Sequence, residues 1–268
     1  MTFDDLINPL GREIFYDTIV DKKPFVIRGN DYKKKFFSEI VTWDQISDYL
    51  NNDRAVAGFQ MIAPGDVKLC MEKGGLEPPK RFSWGRNPQW DKEKAYKLWN
   101  QGHSMILTKG SQLTPNMNAV CGAVEQGFPG GATDAHFYCS PDKNAATFPC
   151  HADRDDNYLV HAIGTVHWKV WNVRMKRELT KGRWNYMGRS TVSLEEEARM
   201  GDPVIDIYLG PGDLLYIPAG YFHKAEPVGA RVSISVPLML SEHPETPLNR
   251  KYFDFGKNIS RLWQHTLV

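Results

Sequence analysis

The run HADRDDNYLVHAIGTVHWKVW, residues 151–171, sets His151 and Asp153 one residue apart at the head of a stretch that reads as strand, turn, strand. On an extended chain residues i and i+2 share a face, so an imidazole and a carboxylate stand side by side. That geometry suits two adjacent positions on one metal ion. The pair alone is more commonly a strand-end histidine beside a surface aspartate, so a third ligand decides. LGPGDLLYIPAGYFHKAEP, residues 209–227, supplies it: Pro211–Gly212–Asp213 makes a turn, a strand follows, and a second turn at Pro218–Ala219–Gly220 delivers His223, 72 residues after His151. Two imidazoles and one carboxylate form the facial set that holds iron(II) and leaves open positions for a bidentate cosubstrate and dioxygen.

Such ligands need neighbouring strands to bring them together. From residue 104 onward the chain consists of short β-branched and aromatic runs separated by Gly and Pro, among them SMILTK, NYLVHAI, VHWKVWNV, VIDIYL, DLLYIP and RVSISVPLML. Seven or more such strands predict a sandwich or barrel of the jelly-roll kind with helices packed at one side. Upstream, GREIFYDTIVDKKPFVIRG (11–29) reads as an amphipathic helix, a break and a short strand. In TWDQISDYLNN (42–52) Thr42 and Gln45 form a capping box ahead of an apolar stripe at Trp43, Ile46, Tyr49 and Leu50. Residues 62–100 are rich in Gly, Pro, Lys and Trp and predict irregular surface apart from a helix over 92–101, while 241–268 reads as a connection and a terminal helix.

Composition narrows the function classes. With 268 residues and 41% hydrophobic content the chain is long enough for one domain with a substantial core. The formal charge of +1 excludes wholesale polyanion binding, so any electrostatic preference is local. Cys70, Cys121, Cys139 and Cys150 form no CxxC pair, and MTFDDLINPLGREIF has no apolar signal core, which predicts a reduced, intracellular, cytoplasmic protein. No apolar run approaches the roughly 18 residues a membrane helix needs, so the expected protein is soluble with no membrane partner.

The run GDLLYIPAGYFH resembles the distal-histidine segment of cupins. FPCHADRDDNYLVHAIG resembles the His-x-Asp strand of the JmjC-type (cupin-like) Fe(II)/2-oxoglutarate-dependent oxygenases, especially the hydroxylase branch of ribosomal oxygenases and asparaginyl hydroxylases; REIFYDTIVDKKPFVIRG is similar to that branch's N-terminal segment. The resemblance touches residues 11–52 and 101–240. It implies a mainly β fold, a double-stranded β-helix (jelly-roll, cupin) core with flanking N-terminal and C-terminal helices. One domain over 1–268 is expected, with 1–100 a helical and irregular flank, 101–240 the core and 241–268 an extension. Also implied are His151, Asp153 and His223 as metal ligands, and iron(II), 2-oxoglutarate and dioxygen as cofactor and cosubstrates. Asp rather than Glu as the carboxylate ligand resembles the hydroxylases more than most demethylases of the family, and the resemblance thus implies hydroxylation of a protein side chain over demethylation. The extra C-terminal domain of ribosomal oxygenases is not expected within these residues.

One position breaks the family pattern. A Lys or Arg two residues after the strand-turn glycine ordinarily receives the distal carboxylate of 2-oxoglutarate, yet Gly164 is followed by Thr165 and Val166. Two other cations are candidates. Lys169 has a spacing from His151 similar to that in some JmjC demethylases, although alternation puts it on the face opposite Val166 and Trp168. Arg231 opens RVSIS, which resembles the Arg-x-Ser pattern of other double-stranded β-helix oxygenases, with Arg231, Ser233 and Ser235 on one strand face. A guanidinium matches a carboxylate bidentately, which places Arg231 ahead. Asn157 matches a polar position that can bond the cosubstrate, and Tyr138, with His136, is expected to line the site from the preceding strand. His161 reads as a satisfied core histidine and Cys150 as packing.

Residues 174–189 hold six Lys or Arg and one Glu, with Trp184 and Tyr186 interleaved. They read as a solvated loop or as a rim attracting an acidic protein segment or RNA. Trp84, Trp90 and Trp99 read as core. A protein or peptide substrate is the expected partner. The rival readings are the same chemistry on a nucleic-acid base or small metabolite, and a metal- or ligand-binding cupin without oxygen chemistry.

Overall fold

A computed structural model describes residues 1–51, 58–62, 69–73, 92–145, 148–175 and 189–239. The N-terminal part contains α1 (Phe3–Ile7), α2 (Arg12–Thr18), β1 (Phe25–Ile27), α3 (Asp31–Ser38) and α4 (Trp43–Asn51), followed by β2 (Gly58–Ile62), β3 (Leu69–Lys73) and α5 (Lys92–Asn100). Then come β4 (Ser104–Thr108), α6 (Pro115–Gly127), β5 (Ala132–Thr133), β6 (His136–Ser140), β7 (His151–Asp153), β8 (Asp156–Ile163) and β9 (Val166–Arg174). The chain continues through β10 (Arg189–Thr191), α7 (Leu194–Arg199), β11 (Ile205–Leu209), β12 (Leu214–Ile217), β13 (Tyr221–Pro227) and β14 (Arg231–Met239).

The strands form two antiparallel sheets. The larger runs β1-β12-β8-β14-β6-β4-β2-β3, with β5 beside β14; the smaller runs β10-β7-β13-β9-β11. This is the expected jelly roll, and alternation along its strands explains why the site lies between the sheets. On β14, Val232, Ile234, Val236 and Leu238 enter the core cluster shared with the helices, whereas Arg231, Ser233 and Ser235 face a cavity on the other side. On β8, Tyr158, Val160 and Ala162 face the helices, while Leu159 joins Val166, Trp168, Val170, Leu215 and Ile217 in a second cluster contributed by both sheets. With both faces buried, β8 reads as almost unbroken burial rather than apolar-polar alternation.

The helices seal the outer face of the large sheet through aromatic contacts. Phe3 meets Phe15 edge-on at 5.7 Å, Phe15 meets Tyr216 at 5.6 Å, and Tyr216 lies 5.1 Å from Tyr158. The Thr42 capping box forms: Thr42 N donates to Gln45 Oε1 at 2.9 Å and Gln45 N to Thr42 Oγ1 at 3.2 Å.

Two sequence expectations need correction. Leu69–Lys73, expected to be irregular, is the edge strand β3, paired with β2. Residues 115–127, within the stretch read as strands, form α6, whose signal was local: Thr114 caps Met117 N at 3.1 Å and Pro115 opens the first turn. Its periodicity is faint because Met117, Val120, Cys121, Ala123 and Val124 are all buried. The terminal helix expected over 241–268 lies outside the described residues, as do Trp84 and Trp90. Trp99 packs edge-on against Trp43 at 5.6 Å. Among the described residues no helix is long and apolar enough to cross a membrane.

Candidate functional site

β13 runs antiparallel to β7 with His223 directly opposite His151, and the two-residue strand period adds Asp153 to the same cluster. The two imidazole centroids are 4.4 Å apart. Asp153 Oδ1 is 3.8 Å from His151 Nε2, and its Oδ2 is 3.5 Å from His223 Nε2. One donor atom from each of the three residues lies within 4.8 Å of the others.

The turns behind the histidines decide which nitrogen faces inward. His151 Nδ1 meets Pro149 O at 2.8 Å and His223 Nδ1 meets Tyr221 O at 3.0 Å. A carbonyl only accepts, so each Nδ1 carries its proton outward and each Nε2 turns a lone pair toward Asp153. Two lone pairs and a carboxylate converging at separations too long for good hydrogen bonds fit a shared cation, and the donor set suits iron(II). The turn that delivers His223 is itself held from β8. Buried Asp156 accepts from Ala219 N at 2.7 Å and from the Tyr216 hydroxyl at 3.0 Å. Asp156 has little to mark it in the sequence beyond the double acidic residue of HADRDD.

The same cavity extends from the cluster to β14, β6 and β4, lined by Arg231, Ser233, Ser235, Tyr138, Ser104 and Ile106, with Phe148, Leu159 and Trp168 as apolar walls. Arg231 is 4% exposed. Its Nε donates to Ser140 Oγ at 3.2 Å and its Nη1 to Ser233 Oγ, and Ser140 Oγ lies 3.1 Å from Ser104 Oγ. Among the described residues no carboxylate pairs with this guanidinium, and burial pulls its pKa down to about 10. Ser140 and Ser104 escaped the sequence reading because they join Arg231 only through the β14–β6–β4 register.

Lys169 points the other way. Its Nζ is 3.4 Å from Glu226 Oε2, in a charged row on the face opposite Trp168 that also contains Lys224 and His167. Val166, where the family carries its basic residue, is fully buried in the inter-sheet apolar cluster. Asn157 lies beside the cluster, its amide bonded to Asp153 and Ser235. Tyr138 lines the cavity, while His136 pairs with Asp134 at 3.6 Å and is not among the lining residues. His161 is a core histidine: Trp168 Nε1 donates to its Nε2 at 2.8 Å, and burial lowers its pKa to about 4, so it stays neutral. Cys150 is buried among Ala152, Trp171 and Phe222, and burial pushes its thiol up to about 12. That environment makes it packing rather than a nucleophile.

Most of the basic stretch, 176–188, lies outside the described residues. Arg174, at its start, is structurally committed: Nε donates to Ala219 O at 2.8 Å and Nη1 to Asp21 O at 2.9 Å, while Nη2 pairs with Asp21 Oδ1.

The JmjC domain family model matches residues 112–245, half of the chain. Ribosomal oxygenase 1 of Danio rerio is 26% identical over 226 residues, covering 84% of this chain and 37% of the relative. The bifunctional lysine-specific demethylase and histidyl-hydroxylase NO66 of Aedes aegypti is 23% identical over 237 residues, covering 87% of this chain and 33% of the relative. The chain thus spans about a third of these relatives' lengths. The solved structure of YcfD, a ribosomal oxygenase from Escherichia coli in complex with cobalt and 2-oxoglutarate, shares the fold with a TM-score of 0.58 at 16% identity, covering 90% of this chain and 55% of that one. A family match over half the chain, enclosing both arms of the His-x-Asp and distal-histidine cluster, makes this chain a member of the JmjC domain family.

Proposed function

We propose that this chain is an Fe(II)- and 2-oxoglutarate-dependent oxygenase that hydroxylates a protein side chain. One observation carries the reading: His151, Asp153 and His223 converge at one end of a cavity whose other end holds Arg231, a buried cation with no carboxylate partner among the described residues. A metal-chelating keto acid with a distal carboxylate satisfies both ends at once. The relatives' names, ribosomal oxygenase and histidyl-hydroxylase, support a protein substrate of ribosomal origin.

His151, Asp153 and His223 would hold iron(II), which when bound would supply the redox chemistry that converts 2-oxoglutarate and dioxygen to succinate and carbon dioxide with one oxygen atom entering a substrate C–H bond. The protein's own part is to orient and shield. Pro149 O and Tyr221 O keep the ligating nitrogens aimed inward. Arg231 and the Ser233 hydroxyl receive the distal carboxylate through charge-assisted hydrogen bonds, and Ser140 holds the guanidinium plane. Phe148, Leu159 and Trp168 keep water from the reacting end.

The test is succinate formation from 2-oxoglutarate with iron(II) and ribosomal proteins, together with mass spectrometry for a gain of one oxygen atom on the substrate. His151→Ala, Asp153→Ala and His223→Ala are each expected to abolish turnover while the fold persists. Full activity with iron retained in any of them removes that residue from the triad. Absence of 2-oxoglutarate consumption with every substrate pool favours a binding cupin, and turnover stimulated by RNA but not protein reassigns the substrate.

A further inference from the structure

Asn157 stands six residues after His151, a position where a cosubstrate contact is expected, yet its carboxamide is engaged at both ends. Nδ2 donates to Asp153 Oδ2 at 3.0 Å and lies 3.4 Å from Asp155 O; Oδ1 accepts from Ser235 Oγ at 2.7 Å. The residue is 3% exposed. Partner chemistry fixes the orientation of the amide. A carboxylate and a carbonyl only accept, so the nitrogen faces them, and the rotatable Ser235 hydroxyl turns its hydrogen to Oδ1. The flipped amide sets oxygen against carboxylate. Both amide hydrogens are therefore spent within the protein.

We propose that Asn157 is a positioning residue for Asp153, and that Ser235 anchors it to the strand carrying Arg231. The inference rests on the metal reading above and assigns Asn157 to the carboxylate of the triad rather than to 2-oxoglutarate. Pairing with β10 and the bond from Gly220 N to Asp153 O fix the Asp153 backbone, which leaves the carboxylate plane to the side-chain torsions. The Asn157 amide restricts rotation of that carboxylate before metal arrives, lowering the entropy lost on binding. The chain Asp153–Asn157–Ser235 also joins the small sheet, which bears the ligands, to β14 of the large sheet.

Cobalt(II), whose visible bands report ligand geometry, is titrated into the metal-free full chain without 2-oxoglutarate. Asn157→Ala is expected to weaken cobalt binding about 10- to 100-fold, the range for lost outer-shell support, and to alter the visible bands. Ser235→Ala is expected to weaken it by a smaller factor, and it keeps the question open to refutation should Asn157→Ala not fold. Melting of the metal-free Ser235→Ala chain is expected to fall by only a few degrees, the cost of one orphaned buried acceptor, which separates positioning from a general loss of structure. Wild-type cobalt affinity in both variants overturns the proposal, and weakened 2-oxoglutarate binding to the cobalt-loaded Asn157→Ala chain alongside it makes Asn157 a cosubstrate ligand. A wild-type chain that binds no cobalt overturns the metal reading and this inference together, whereas normal wild-type binding with unaffected variants overturns only the role of Asn157.

Discussion

At the scale of residues, a buried guanidinium held by serine hydroxyls, with no carboxylate partner among the described residues, is a cation prepared for an anion. Burial costs the charged form of Arg231 dearly, and Ser140 and Ser233 compensate only in part. Supplying its counter-ion recovers a charge-assisted bond in a dry site. Arg231→Ala is therefore expected to raise the 2-oxoglutarate concentration needed for half-saturation by roughly 30- to 150-fold, the equivalent of about 2–3 kcal/mol. Lys169→Ala removes a half-exposed pair with Glu226 worth at most about 1 kcal/mol to the fold, and is expected to leave that concentration within about twofold. Titration of both variants decides between them: the opposite ranking moves the cosubstrate's carboxylate to Lys169, and no effect in either argues for a different cosubstrate. The sequence could suggest both cations because alternation within one strand is local. It could not show that Glu226, 57 residues away, meets Lys169, or that Ser235, 78 residues away, meets Asn157, since those partners are set by register between strands.

At the scale of elements, the turn between β8 and β9 controls where β14 begins. Gly164 has φ +71°, a conformation that side chains rarely adopt, and a Cβ there would lie 2.1 Å from Ala230 O and 3.2 Å from the Arg231 Cα. Only glycine lets this turn pass so close to the start of β14. Gly164→Ala combines the left-handed backbone penalty of about 1–2 kcal/mol with a backbone clash, so a loss of at least about 2 kcal/mol is expected in urea unfolding. Because the clash falls beside Arg231, weakened 2-oxoglutarate binding is expected with it. Unchanged stability shows that the turn is looser than the structure has it, and lost stability with intact cosubstrate affinity uncouples the turn from Arg231. Elements of this kind were the most legible in the sequence: Gly164, Gly212 and Gly220 all take positive φ at turns that Gly and Pro marked. What escaped, β3 and α6, are elements whose burial or edge pairing erases the usual periodicity.

At the scale of the whole molecule, the site is divided between two sheets. His151, Asp153 and His223 belong to the small sheet, and Arg231, Ser233 and Tyr138 to the large one. On the proposed reading a bound cosubstrate would act as a clip, its keto-acid end fixed only with metal present on the small sheet and its distal carboxylate fixed by Arg231 on the large one. Metal and 2-oxoglutarate should consequently stabilise the fold by more together than the sum of their separate effects. With both at about 100 times their dissociation constants, each fully coupled site adds about 2.7 kcal/mol, which for a chain of this size corresponds to a melting shift of roughly 5–10 °C. Scanning calorimetry of the metal-free chain, with cobalt(II), with 2-oxoglutarate, and with both, measures the terms separately. The expected result is a shift with cobalt, little with 2-oxoglutarate alone, and a further rise when the two are combined. In Arg231→Met the cobalt shift should persist and the further rise should vanish. The metal-free variant should melt within a few degrees of wild type, since removing a buried charge offsets the cavity left by the shorter thioether side chain. Strictly additive shifts, or a cosubstrate increment surviving in Arg231→Met, would show that 2-oxoglutarate does not bridge the sheets and that the two halves of the cavity serve different ligands.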